Sequence, residues 1–135
     1  MELHRRAWYL RSDEVIVTCD LQKSQYGPVY YLNVGFYLRA YGEEAYPKSH
    51  VCDIVVRAGQ FLGEETNLDE LLDLESGIPD EERIVVLYAV LSERLGPPMK
   101  TGASIAGLRA MLADGTLPDY MLNRNAQEAL RSDTG

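Results

Sequence analysis

Eight polar and aromatic residues recur at strand spacing in the first half of the chain: Thr18, Asp20, Gln22, Tyr31, Asn33, Tyr37, Asp53 and Arg57. Successive residues of a strand point to opposite faces, so positions two apart share a face. Strands laid side by side would bring these residues together as one surface of carboxylates, amides, phenols and a guanidinium. Such a mixture of donors, acceptors and aromatic walls suits a small polar ligand or a peptide. The commoner origin of the same pattern is the solvated side of a half-covered antiparallel sheet.

Arg57 stands two positions from Asp53 and is expected either to pair with it or to clamp a carboxylate through both edges of its guanidinium. His50, Cys52 and Asp53 invite a nucleophile or metal reading, and His50 and Cys52 would share a strand face. Two ligands fall short of the roughly four that zinc takes, and no Cys-x-x-Cys spacing supplies the others. No metal, cofactor or catalytic residue is therefore assigned, and Cys19 and Cys52 read as small core side chains. Gly102 and Gly107 with Lys100 and Thr101 do not have the order of a phosphate-binding loop. There is also no Gly-x-Ser-x-Gly elbow and no His-Glu-x-x-His helix.

The elements that must position these residues follow from patterning. Residues 7–11 alternate and are followed by Ser12-Asp13-Glu14, which predicts a tight hairpin into the run from Val15. In that run Val15, Val17, Cys19 and Leu21 share one face and Ile16, Thr18, Asp20 and Gln22 the other. A third strand over 29–38 puts Tyr30, Leu32, Val34, Phe36 and Leu38 on its apolar side. Two registers group the polar residues: one pairs Gln22 with Val29, the other pairs Gln22 with Tyr31 and Asp20 with Asn33. A fourth strand is expected over 50–57, with Cys52, Ile54 and Val56 on one side and Asp53, Val55 and Arg57 on the other.

After Gly63 the period becomes helical. Leu68, Leu71, Leu72 and Leu74 suggest a short helix capped by Thr66 or Asn67. Pro79 and the acids at 80–82 start a longer one, with Ile84, Leu87, Tyr88, Leu91 and Leu95 as its stripe and Gly96-Pro97-Pro98 as its end. Ser104–Ala113 reads as a third helix, stopped by Asp114-Gly115. A last one starts near Pro118, with Tyr120, Met121, Leu122 and Leu130 as docking residues. The fold class is α+β: an antiparallel sheet of about four strands packed against three or four C-terminal helices, in one domain over 1–135.

Charge narrows the partners. The net charge is -8, and residues 1–60 are balanced, with seven basic and seven acidic side chains, whereas residues 61–135 hold six and fourteen. A phosphate backbone would repel such a chain, so nucleic acid is not an expected partner. The run Glu64–Glu82 holds nine carboxylates and no Lys or Arg; it reads as a solvated helix face or as a surface for a basic partner. The longest apolar stretch, Ile84–Leu91, is eight residues against the roughly 20 that span a bilayer, so no membrane span is expected. With no signal-peptide pattern and only two cysteines, the expected compartment is the cytoplasm.

The runs Trp8-Tyr9-Leu10-Arg11, Leu21-Gln22-Lys23-Ser24 and Tyr30-Tyr31-Leu32-Asn33-Val34-Gly35 resemble a bacterial family known as domain of unknown function 4304, over roughly residues 7–60. The resemblance implies a small α+β protein and no activity, and of the polar positions it adds weight to Gln22 and Asn33 alone. Similar proteins carry a helix and a Gly-Phe step ahead of the first strand; here either Met1 is a late or misassigned start or another element covers that part of the core. Two functional readings stand. The preferred one is a non-enzymatic binding or protein-interaction module, immunity-like, with a protein as its partner; the sequence assigns no oligomeric state. The other is a small enzyme with a polar cleft on the sheet face around Asp20, Asn33, Tyr37 and Arg57.

Overall fold

A computed structural model of the chain describes residues 2–4, 7–23, 25, 27–61, 73 and 77–131. Five strands, β1 (Glu2–His4), β2 (Ala7–Arg11), β3 (Val15–Lys23), β4 (Tyr30–Leu38) and β5 (Ile54–Arg57), form an antiparallel meander in chain order. The sheet lies in the first half of the chain and the helices follow it, which is the α+β arrangement expected from the sequence. β1 was not anticipated, because a three-residue edge strand carries too little alternation to stand out.

The β3–β4 register pairs Gln22 with Tyr31 and Asp20 with Asn33, the second of the two alternatives. It places Val15, Val17 and Cys19 beside Leu38, Phe36 and Val34, and these residues with Ile54 and Val56 form the sheet's contribution to the main core. The β2–β3 turn forms as expected: Ser12 Oγ accepts from Glu14 N at 3.2 Å and Val15 N at 3.1 Å. Ser12 Oγ also donates to the Ala103 carbonyl, and the Glu14 carboxylate accepts from Ile105 N at 3.1 Å, so this hairpin docks the helical half.

The helices are α1 (Asp80–Val90), α2 (Gly96–Thr101), α3 (Ile105–Ala113) and α4 (Arg124–Leu130). The chain does not stop at Gly96-Pro97-Pro98. A π-helical turn over Leu91–Leu95 joins α1 to α2, and Leu95 keeps right-handed helical dihedrals (φ -89, ψ -24). The prolines can offer no N–H to the carbonyls of Glu93 and Arg94, and the wider π turn occupies that stretch, so both prolines sit in the first turn of α2, where such N–H groups go unused.

Of the expected α1 stripe, Leu87 and Leu95 are buried, while Tyr88 is 64% exposed. Ile84 and Leu91 lie outside the described side chains. Arg83 takes an inner position instead and donates to the carbonyls of Asp73 at 2.9 Å and Ile78 at 3.2 Å. α3 is capped by Ser104 Oγ, which accepts from Gly107 N at 3.0 Å, and it ends at Asp114-Gly115. Near Pro118 the chain makes only a 3₁₀ turn, Asp119–Met121, before Asn123 caps α4 by accepting from Ala126 N at 2.8 Å. Leu122 and Leu130 dock, but Tyr120 is 76% exposed. The helix expected around Leu68, Leu71, Leu72 and Leu74, with its Thr66 or Asn67 cap, lies outside the described residues.

Leu87, Leu95, Met99, Leu108, Met111, Leu117, Ala126 and Leu130 close the main core over the sheet's apolar face. The opposite face is not left to solvent. The long β4–β5 connection folds across it, and Ala7, Tyr9, Ile16, Tyr37 and Cys52 form a second, smaller apolar cluster there. β4 is therefore buried on both faces from Leu32 to Leu38. Among the described residues, no helix is long and apolar enough to cross a membrane.

Candidate functional site

The second sheet face carries a cross-strand row. His4 opposes Ala7, Ala7 opposes Asp20, Asp20 opposes Asn33, and Asn33 opposes Arg57. Gln22 and Tyr31 pair beside it. Five of the residues singled out from sequence, Asp20, Gln22, Tyr31, Asn33 and Arg57, are thus brought together.

Asn33 is the centre of the network. Its Nδ2 donates to Gln22 Oε1 at 3.1 Å and to Asp20 Oδ1 at 3.4 Å, while its Oδ1 accepts from Arg57 Nη1 at 2.8 Å. Acceptors on one side and a donor on the other fix which way the amide faces. The Arg57 guanidinium carbon lies 4.2 Å from the centre of the Tyr31 ring, a cation–π stack that holds its plane. Asp20 also accepts from Ser49 N at 2.9 Å and Ser49 Oγ at 2.8 Å, so its carboxylate pins the β4–β5 connection to the sheet.

Tyr37 and Asp53 do not join this group. Tyr37 lies on the same face toward the far end of β4, and its hydroxyl accepts from Glu44 N at 3.0 Å. Asp53 precedes β5, and its carboxylate accepts from Leu38 N and from Asn123 Nδ2, both at 2.9 Å. The expected Asp53–Arg57 pair is therefore replaced by the Asn33–Arg57 bond. The strand expected from His50 begins only at Ile54, because Ser49–Val51 is a 3₁₀ turn. That turn breaks the alternation: His50 is exposed, and Cys52 packs on the second face rather than beside Ile54 and Val56.

Cys52 also explains a glycine. A Cβ on Gly35 would lie 2.7 Å from Cys52 Sγ and 3.1 Å from Thr18 Cγ2, so the turn can close on β4 only where the strand has no side chain. Burial pushes the thiols of Cys19 and Cys52 well above the ordinary value of 9.0. Neither is activated as a nucleophile. Both should resist alkylation in the native chain and react once it is unfolded, as a timed thiol assay with and without denaturant would report; rapid native labelling of Cys52 would contradict the burial.

The same shift gives a pH dependence. Below about pH 9 the thiols are protonated in both states; above it only the unfolded chain releases the protons. Stability should fall as pH rises beyond 9, by up to about 1.4 kcal/mol per pH unit for each thiol. Denaturant melts between pH 8 and pH 10 test the sign.

Between the row and the overlying connection is a cleft of about 970 Å³, lined at one end by Gln22, Asn33, Asp20 and Ser49 and at the other by His4, Tyr9 and Tyr46. Ala7, the small residue of the row, leaves its middle open. The aromatic end is organised: His4 stacks on Tyr46 at 3.7 Å and 9°, Tyr9 meets Tyr46 edge-on at 5.4 Å, and Arg11 lies 4.4 Å from the Tyr46 ring centre. Burial raises the Tyr9 phenol above its ordinary value. His4 and Tyr46 were not anticipated as site residues. Tyr46 belongs to an irregular connection with no periodicity to place it, and its only sequence signal is an aromatic next to Pro47 between two strands.

Among the described residues, no group of three or more His, Cys, Asp or Glu could hold a metal ion. No curated protein and no solved structure matches the chain. One family model does, over residues 4–101, a span that takes in the whole cross-strand row, the cleft and the helices as far as the end of α2. The chain thus belongs to the family described as Domain of unknown function (DUF4304).

Proposed function

We propose that the chain is a non-enzymatic binding module whose ligand occupies the cleft over the second sheet face. The observation that carries this reading is the cleft itself: about 970 Å³ of concave space with an aromatic wall at one end and an ordered amide network at the other. That volume is of the order of small-molecule sites, which combine apolar walls with a few fixed polar groups. Binding is favoured over catalysis by how the polar groups are engaged. Ser49 and Asn33 occupy Asp20, the Tyr37 hydroxyl is held by Glu44 N, and burial keeps the Cys52 thiol protonated. An acid, base or nucleophile needs a free atom within reach of the reacting group.

The acidic-surface form of an interaction module has less support, since most of Glu64–Glu82 lies outside the described residues, and Glu81 and Glu82 are ordinary exposed acids in the first turn of α1. Amide-detected NMR of the full chain, screened against small organic acids, amides and short peptides, tests the cleft. Hits should shift Ala7, Gln22, Tyr46 and Ser49 together. Tyr46→Ala should weaken them about fivefold with little change in stability, because Tyr46 is 39% exposed. Shifts confined to α1 would move the binding surface elsewhere and refute the reading.

A further inference from the structure

We infer that the cleft takes a small organic carboxylate on an apolar body, and that Arg57 holds the acid group; this rests on the binding reading above. The cleft floor follows the cross-strand row from His4 to Asn33, and Arg57 is the next side chain along, one strand spacing or roughly 5 Å further. A ligand lying across the strands with its acid group at Arg57 would therefore lay its apolar body along the row toward Ala7.

The guanidinium is prepared for an anion. Its plane is set by the Tyr31 ring 4.2 Å away and by the bond from Nη1 to Asn33 Oδ1, the one side-chain bond it makes among the described residues. Both partners are neutral, and Asp53, the acid closest in sequence on β5's approach, is engaged by Leu38 N and Asn123. A guanidinium has five N–H donors in a planar fork, so one bond to Asn33 leaves donors for a second, two-pronged partner. Arg57 is exposed and can be reached.

The charges of the row itself select the ligand, since Glu44 and Lys48, which also line the cleft, belong to the overlying connection and offset one another. The carboxylate within the row, Asp20, already accepts from Ser49 and Asn33, so the row does not call for a cation. One fork with neutral amides beside it matches a planar monoanion of two oxygens. A phosphate dianion would need further cations or a nest of backbone N–H groups around it.

The test uses the full chain with benzoate and with its neutral counterpart benzamide, followed by amide NMR. Benzoate should shift Gln22, Asn33 and Arg57 together with the cleft residues, and benzamide should bind about tenfold more weakly. Arg57→Gln should lose about the same factor for benzoate alone, with an unchanged fold, and Arg57→Lys, which keeps the charge but not the fork, should not restore it. Equal binding of benzoate and benzamide, or undiminished benzoate binding by R57Q, would overturn the role of Arg57 while leaving the cleft reading intact. Inorganic phosphate shifting Arg57 where benzoate does not would overturn the carboxylate. Failure of benzoate, benzamide and every amide and peptide of the wider screen to shift any cleft residue would remove the cleft reading itself.

Discussion

Replacing Phe36 by alanine is expected to lower the unfolding free energy by about 3 to 5 kcal/mol, the range for a fully buried phenylalanine. Phe36 is 0% exposed in the second half of β4, opposite Val17 on β3 and Ile54 on β5. Its ring meets Phe61 edge-on at 6.3 Å and 87°. On its helical side the ring fills space that exists only because position 102 has no side chain: a Cβ on Gly102 would sit 2.2 Å from Phe36 Cε1. The ring thus joins three strands to the end of α2, and neighbours held by the backbone ladder cannot collapse into the void that alanine would leave. Phe36→Leu should recover more than half of the loss, and Gly102→Ala should destabilise by about 1 to 3 kcal/mol through overpacking. Equilibrium denaturation in urea gives all three numbers. A loss below about 1 kcal/mol for Phe36→Ala would mean that the helices do not depend on this contact.

The place of Phe36 on the apolar face of its strand was legible in the sequence, as was much of the sheet, whereas its contact with position 102 was not. Alternation from Val15 to Leu38 names the core face, and the need to keep polar residues together limits the β3–β4 register to two choices, one of which holds. The site residues Asp20, Gln22, Asn33 and Arg57 follow from the same alternation, because cross-strand neighbours in a meander are set once the register is known. What alternation cannot report is what lies on top of a face. The β4–β5 connection covers the second face through contacts between Asp20 and Ser49, and between Gly35 and Cys52, that are separated in sequence and follow no period. Hence the face expected to be solvated is a cleft, and its aromatic wall at Tyr46 stayed hidden. The continuation of α1 through Gly96-Pro97-Pro98 was missed for a related reason: proline forbids the α ladder at one point, but a π turn next to it keeps the chain helical at the cost of a local change in pitch.

Asp53 marks the other place where local reading gave a neighbour and the fold supplied a distant partner, and its replacement carries the second large expected effect. Asp53→Asn should cost about 2 to 4 kcal/mol, since hydrogen bonds to a charged acceptor contribute about 1.5 to 3 kcal/mol each and a buried donor left alone adds its own penalty. Asp53 is only 6% exposed. One oxygen accepts the Leu38 amide at the end of β4, and the other accepts Asn123 Nδ2 at the start of α4. The Asp53 carbonyl accepts Asn123 N as well, at 3.0 Å, so a single residue ties the last helix to the sheet through both its side chain and its backbone. An asparagine keeps the shape but has one oxygen for two donors, so its amide nitrogen must face either Leu38 N–H or the Asn123 amide. The loss should therefore be local before it is global: hydrogen exchange ought to quicken at Leu38 and along Arg124–Leu130 while the β3–β4 ladder stays protected. The Arg57 network shares no bond with this carboxylate, so ligand shifts in the cleft should survive the substitution. If instead exchange rises evenly over the whole sheet, or α4 is unaffected, Asp53 is not the tie that holds the C-terminal helix in place.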